Sequence, residues 1–378
     1  MGETVSGNDH YPTKGFSNIY KQWGQGGWGM ILTGNVQVDP KHLGSGVDLL
    51  IDASRVHDAA YQKGWREYAQ ACQPAPVVMQ INHPGRQSPM GAGSRGFFEK
   101  AVAPSAVALD LGPGLVARGL RALMFGTPRA LTTAEVYDII KHFVTAGKLA
   151  YDCGFQGVEL HAAHGYLLAQ FMAARTNLRT DEFGGSAAKR AEIAVRIIKG
   201  IREATSPSFA IGMKINSVDA ALSGDTDAGF LEQVERFNDA GIDFLEVSGG
   251  TYEKPDMAAS APTSARTAER EAYFLTFSAL IRENFPKIPL MVTGGFRSVA
   301  FMNKAVASKQ VDLVGIGRPA ALNTHIPRDI FDAKETSDLK LDAPKIPLSW
   351  PMSWIPVKIV GAGMETIWYG KKIAAMAL

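Results

Sequence analysis

The sequence predicts an α/β protein whose parallel strands close into a barrel ringed by helices, and three observations predict it. Short apolar runs rich in β-branched residues recur along the chain. Segments of helical period separate them, which is the rhythm of repeated βα units and gives a parallel sheet covered by helices. Seven such runs in one chain favour a closed (β/α)8 barrel over a doubly wound open sheet.

The strand candidates, in order, are Trp28 to Gly34 (WGMILTG), Pro76 to Ile81 (PVVMQI), Phe155 to Leu160 (FQGVEL), Phe209 to Ile215 (FAIGMKI), Phe244 to Ser248 (FLEVS), Leu290 to Thr293 (LMVT) and Leu313 to Ile316 (LVGI). Among the helices, Thr132 and Glu135 form a capping box ahead of an apolar face of Val136, Ile139, Ile140, Phe143, Val144 and Gly147. Ser186 stands before Ala191, Ala194, Val195, Ile198 and Ile201; Ser298 precedes a short helix ahead of the last strand; a helix from about Ala228 ends at Gly241. Pro84 to Leu131 is rich in Gly and Pro and has no clear period, so it reads as a long loop over one barrel face, of the kind that is usually functional. The first 15 residues are polar, turn-rich and without alternation, so the barrel is expected to be one strand short of eight. No composition shift divides the chain, which reads as one domain over 1–378 with residues 319–378 as a C-terminal extension.

With 46% hydrophobic and 20% charged side chains, 378 residues can bury a large core. The net charge of +2 arises from 39 basic and 37 acidic residues without long runs of either sign, which leaves no electrostatic footprint for nucleic acid or anionic lipid. Two cysteines, Cys72 and Cys153, are too few for a disulfide framework and form no CxxC pair, so a reducing, cytoplasmic setting is expected. The start, MGETVSGNDHYPT, lacks the apolar core of a secretory signal, and no apolar run approaches the roughly 20 residues that span a bilayer. Gly2 with Ser6 fits the short myristoylation pattern, but no basic cluster follows as a second anchor, and it is taken as chance.

The strand ending VEL runs directly into His161, with His164 three residues on and Tyr166 beyond (HAAHGYLLAQF), at the C-terminal mouth where barrel active sites are built. A zinc site needs a third protein ligand that the spacing does not offer, and HExxH is lacking. Two imidazoles and a phenol at a strand end instead suit a donor pair aimed at a carbonyl or phenolate oxygen, with a proton source beside it. Thr293-Gly294-Gly295-Phe296 and Gly315-Ile316-Gly317-Arg318-Pro319 follow the last two strands, where barrels often hold a phosphate. Glycine backbone can approach phosphate oxygens, and Arg318, with Arg297 as a second candidate, can add bidentate charge. Lys214 and Gln80 lie near strand ends and can point into the same mouth, the lysine to stabilise an anion. The literal GxGxxG matches at Gly24 to Gly29 and Gly91 to Gly96 are out of context, the first preceding its strand and the second inside the long loop; Gly361-Ala362-Gly363 is weaker still, so no separate dinucleotide-binding domain is visible.

Taken together, ILTGNVQVD (Ile31 to Asp39), MQINHPGRQSP (Met79 to Pro89), the histidine segment through Ser186, GMKINSVD (Gly212 to Asp219), TGGFR and GIGRP resemble the Old Yellow Enzyme family of FMN-dependent NAD(P)H:flavin oxidoreductases over about Trp23 to Arg318. The resemblance implies a (β/α)8 barrel with FMN at its C-terminal mouth and NAD(P)H as reductant in the same pocket, with ping-pong kinetics. It implies that Gly34 and Gln80 contact the flavin ring, Lys214 its N1 and C2 carbonyl edge, and Gly294, Gly295, Gly317 and Arg318 the phosphate region. His161 and His164 would bind the carbonyl oxygen of an α,β-unsaturated substrate, and Tyr166 would protonate Cα as reduced flavin gives hydride to Cβ. It also implies a first strand ahead of the segment beginning near Tyr11, so this chain is expected to start inside the following loop, and a possible homodimer. The cysteine count argues against the iron–sulfur dienoyl reductase branch. Two other readings stay open: acid-base isomerisation or cyclisation in the same pocket without net redox chemistry, and a non-catalytic remnant with weak FMN binding.

Overall fold

The computed structural model describes residues 9–216, 226–248 and 277–336, together with Glu3, Ser6, Gly7, residues 339, 341, 343, 344 and 346, and 358–377. Ser217, Val218 and Asp219 of the GMKINSVD segment, and Gly2, lie outside the described residues. In chain order the elements are α1 (Lys14–Gly24), β1 (Ile31–Leu32), β2 (Val36–Gln37), β3 (Leu49–Leu50), α2 (Ala59–Ala71), β4 (Val77–Asn82), β5 (Val102–Ala103), α3 (Leu115–Met124), β6 (Arg129–Ala130), α4 (Thr133–Asp152), β7 (Gly157–Ala162), α5 (Leu167–Met172) and α6 (Ala187–Ala204). There follow β8 (Ala210–Asn216), α7 (Asp227–Ala240), β9 (Phe244–Ser248), β10 (Leu290–Thr293), α8 (Val299–Ala307), β11 (Leu313–Gly315), α9 (Ile326–Asp332) and α10 (Lys358–Ala375). The main sheet runs β11-β10-β9-β8-β7-β4-β2-β3, with β1 also on β4, and its ladders are parallel.

All seven predicted strands are present within a residue or two, except that WGMILTG shortens to Ile31–Leu32. The reason is a bulge. Leu32 pairs with Val78 and Val36 with Ile81, so four steps on one strand oppose three on the other. The extra residue falls in Thr33-Gly34-Asn35, and the Thr33 hydroxyl accepts the Gln80 N–H at 2.9 Å, a hydrogen bond made by a side chain within the ladder. Among the described residues no strand joins β11 to β1. On the β1 to β3 side the N-terminal segment is tied down instead by bonds from Ser6 Oγ to the Val47 carbonyl at 2.5 Å and from the Leu50 N–H to the His10 carbonyl at 2.9 Å.

The capping box at Thr132 and Glu135 forms as read, Ser186 and Ser298 cap α6 and α8, and α7 stops at Gly241 with a left-handed φ of 93°. The stretch from Pro84 to Leu131 is not one loop. It holds a 3-10 turn over Gly85–Gln87, the β5–β6 pair and the ten-residue α3. α3 escaped the sequence because Gly112, Pro113, Gly114 and Gly119 surround and interrupt it, although Val116, Leu120, Leu123 and Met124 fall on one helical face; only Ala117 is buried, while Leu115, Val116 and Leu123 face solvent. α1 and α2 pack through aromatic faces, Phe16 and Tyr20 on Tyr68, with Trp65 also fully buried. No helix among the described residues is long and apolar enough to cross a membrane.

Alternate residues of each strand turn to opposite faces. Val77, Met79 and Ile81 on β4, Val158 and Leu160 on β7, Ile211 and Met213 on β8, and Leu245 and Val247 on β9 belong to the apolar layer under the helices. The other parity points inward and changes character along the strands. Val78, Phe244 and Met291 form an apolar floor with Met30 and Leu32; above it come Gln80, Glu159, Lys214 and Glu246, and then His161 and Ser248 toward the C-terminal ends. Gly212 makes room for the floor, since a Cβ there would lie 2.0 Å from the Phe244 ring. Gly212→Ala is therefore expected to destabilise the fold by about 1–3 kcal/mol through overpacking, read as a fall in the urea midpoint; an unchanged midpoint would show that the ring yields freely.

Candidate active site

β7 carries His161 near its end, and the chain then turns sharply. His164 has a left-handed φ of 57° and Gly165 one of 72°, a conformation uncommon for a non-glycine residue and typical of strained functional turns. The turn folds His164 back so that its ring stands perpendicular to that of His161, centroids 5.0 Å apart, and brings the Tyr166 ring to 4.7 Å from His161. Tyr166 is the N-cap residue of α5.

The hydrogen bonds order the protons. Asn35, delivered by the bulge, turns Nδ2 toward Tyr166 Oη at 3.5 Å, which leaves its Oδ1 to accept from His161 Nδ1 at 2.7 Å. His161 Nε2 then accepts from His164 Nδ1 at 2.8 Å, and His164 Nε2 accepts from Ser248 Oγ at 3.2 Å. Both rings are neutral in this chain of bonds, and burial, with His164 and Lys214 adding to it, holds His161 well below the usual imidazole range. The two histidines thus face one another, and the Nδ1 proton of His164 is engaged in the bond between them.

Lys214 is the register partner of His161 on the next strand, so the ammonium and the imidazole share one mouth. It donates to Glu246 Oε1 at 2.6 Å. Gln80, predicted to touch a ligand ring, donates Nε2 to Glu159 Oε2 at 2.5 Å. Burial and the neighbouring Glu246 push the Glu159 carboxyl well above the carboxylate range. Glu246 lies below that range: burial opposes its charge, but Lys214 and hydrogen bonds outweigh it. The Gly34 N–H is donated to Glu3 Oε1 at 2.8 Å, the same carboxyl that accepts from the Tyr20 hydroxyl, and burial raises its pKa. A Cβ at Gly34 would collide with Glu3, so the N-terminal segment covers the place where a ring contact was expected.

Gly294 and Gly295 follow β10 with φ of 137° and 80°, positions that favour glycine, and Thr293 on β10 pairs with Gly315 on β11. Gly317 has open space where a side chain would stand. Arg318, the next residue, is half-buried and reaches Glu365 of α10 at 3.3 Å, and Tyr369 lies within the fields of Arg318, Glu365 and Arg297. Glycine backbone, two guanidinium groups and an ammonium at the C-terminal ends of parallel strands fit a phosphorylated, electron-rich ring such as FMN.

A second group of side chains was not foreseen. Asp39, His42 and His83 have donor atoms within 4.8 Å of one another and are buried. The Gly85 N–H donates to His83 Nδ1 at 2.9 Å, so in the neutral ring the proton sits on Nε2 and points to Asp39 Oδ2 at 3.3 Å. His42 Nδ1 meets the same oxygen at 2.7 Å. A metal ligand would need the opposite tautomer of His83, with its non-ligating nitrogen donating, so the group reads as a hydrogen-bonded clamp under the 84–131 segment. Asn35, Glu159, Glu246 and Ser248 were also missed. The carboxylates had a readable signal, since a glutamate inside an otherwise apolar parallel strand (VEL, FLEVS) is rarely buried without a partner.

Comparison with known proteins adds the following. Residues 4–336 match the NADH:flavin oxidoreductase / NADH oxidase family. The NADH-dependent flavin oxidoreductase iliE of Neonectria sp. (strain DH2) is 41% identical over 392 residues, covering 99% of this chain, and the chain spans only 51% of that protein. The NADH-dependent flavin oxidoreductase iccE of Talaromyces variabilis is 39% identical over 385 residues, 100% of this chain and 93% of that one. Among solved structures, a 2-naphthoyl-CoA reductase complex superposes with a TM-score of 0.76 over 91% of this chain and 50% of its own, and morphinone reductase with 0.71 over 89% and 85%. Both are 22% identical and show the fold, an α/β barrel.

The neutral, buried His161 has a pH consequence. Its folded-state value lies below the ordinary imidazole value of about 6.5, so the unfolded chain takes up the proton first as pH falls through that value. His161 therefore costs stability below about pH 6.5 and nothing above it. A His161→Asn variant is expected to lose less stability on acidification than the parent, the difference approaching ~1.4 kcal/mol per pH unit. Urea titrations over an acid series measure it, and parallel curves would contradict the assignment.

Proposed function

Because the chain belongs to the NADH:flavin oxidoreductase / NADH oxidase family, we propose that it uses FMN and NAD(P)H to reduce the activated C=C bond of α,β-unsaturated carbonyl compounds by a ping-pong mechanism. The observation that carries this reading is the adjacency of His161 and Lys214 on β7 and β8. A neutral imidazole pair and an ammonium then meet at one mouth, which suits an oxygen that gains charge beside an electron-rich ring.

Bound FMN would supply the electron pair, received from NAD(P)H. Lys214 would hold the ring edge where negative charge gathers, and Gly294, Gly295, Gly317 and Arg318 would hold the phosphate. Opening the bond between the imidazoles would free the His164 Nδ1 proton for the substrate carbonyl oxygen, and His161 would join it as the other tautomer, with its hydrogen on Nε2 and the Asn35 amide turned to donate to Nδ1. The Ser248 hydroxyl, donating to His164 Nε2, keeps that ring in the tautomer the donation needs. Tyr166, edge-on to His161, would give its hydroxyl proton to Cα. The apolar floor of Val78, Phe244 and Met291 closes the pocket below and strengthens every charge interaction above it.

Purified protein supplied with FMN is expected to turn yellow, to bleach with NAD(P)H under anaerobic conditions, and to regain colour on adding an enone. Protein that stays colourless sinks the reading, and turnover of an enone to an isomer without NAD(P)H would replace it with the redox-neutral one. Tyr166→Phe is expected to slow reoxidation by the enone by roughly 10²–10⁴-fold while leaving bleaching by NAD(P)H nearly unchanged; stopped-flow absorbance separates the two half-reactions.

A further inference from the structure

Three buried ionisable side chains stand side by side on consecutive strands: Glu159 on β7, Lys214 on β8 and Glu246 on β9. Gln80 Nε2 donates to Glu159 Oε2, and Lys214 Nζ to Glu246 Oε1, at 2.5 and 2.6 Å. Those bonds account for one oxygen of each carboxyl. The remaining two, Glu159 Oε1 and Glu246 Oε2, are sealed from water and have no donor if both groups are carboxylates. The two carboxyl groups are within hydrogen-bonding reach of each other. A single proton between them satisfies both orphan atoms at once.

We propose that Glu159 and Glu246 share one proton across the barrel interior, and that this acid–carboxylate pair is the positioning unit that keeps the charge of Lys214 available to an anion at the mouth. With the proton in place the triad is one cation, one anion and one neutral acid, and its net charge is zero. Without it two carboxylates compete for one ammonium, and the interior carries a net negative charge below the site. Burial makes that second state costly, because no water screens it. The other groups facing the triad do not replace the proton: Gln80 from β4 and Thr293 from β10 are neutral, the latter bonding Glu246, and His161 above it on β7 is uncharged.

The coupling half of the proposal rests on the flavin reading. If Lys214 holds the ring edge, negative charge arriving there on reduction binds the shared proton more tightly. Reduction at alkaline pH then draws one extra proton from solvent into the carboxyl pair, and no other atom moves. Glu159→Gln keeps the bond to Glu246, with an amide N–H in place of the acid O–H, and cannot lose or gain that proton.

Two measurements decide it. Infrared spectra of the wild-type protein in deuterated buffer at neutral pH are expected to show a protonated carboxyl C=O stretch that Glu159→Gln removes; a wild-type spectrum without it overturns the shared proton, whatever the variant does. In FMN-loaded protein, the midpoint potential is expected to fall more steeply with rising pH in wild type than in Glu159→Gln, by one proton per two electrons on the alkaline side. Coincident lines overturn the role toward Lys214. Protein that shows the band but binds no FMN keeps the shared proton and overturns the flavin reading together with the coupling built on it.

Discussion

The alternation of side chains along parallel strands is the constraint on which this site depends. Gln80, Glu159, His161, Lys214, Glu246 and Ser248 share the inward parity because Val77, Met79, Val158, Leu160, Met213 and Leu245 hold the outward one against the helices. A slip of one residue in any ladder would drive a carboxylate or an ammonium into the helix layer. The apolar face therefore fixes the register, and the register sets each polar group opposite its partner. Site geometry here is a by-product of hydrophobic burial on the other side of the sheet.

Among the described residues, the ladder departs from this regularity at the bulge at Thr33-Gly34-Asn35. One extra residue re-aims Asn35 toward His161 and Tyr166, and the Thr33 hydroxyl takes over a backbone bond that would otherwise be lost. A regular strand could not do both. The proton order of the two imidazoles follows from that irregularity, because the Asn35 oxygen determines which nitrogen of His161 carries hydrogen, and the choice propagates to His164 and Ser248.

Much of the frame was legible in the sequence for a physical reason: strands buried on both faces read as apolar runs, and caps such as Thr132, Ser186 and Ser298 are local chemistry. His161, His164, Tyr166 and Lys214 were legible through their place at strand ends, and the structure does bring them together. Partners from distant parts of the chain were not. Glu3 reaches Gly34 across 31 residues and Arg318 reaches Glu365 across 47, and nothing local announces either. α3 was hidden by the glycines and the proline around it, and the Asp39, His42 and His83 clamp was missed because two strands and a helix lie between His42 and His83.

The buried triad is a poor choice if stability were its purpose. Desolvating charges costs several kcal/mol per ion, and apolar residues of similar volume commonly serve a core as well or better. The floor directly below shows that this barrel can use them: Val78, Phe244 and Met291 occupy the same parity one layer down. Apolar packing stops at the layer where Lys214 begins, and the groups that replace it are those that neutralise an ammonium without burying its charge among permanent anions. That switch in chemistry, on consecutive strands, marks where the interior is no longer chosen for apolar packing alone, which is the pattern expected of a functional site.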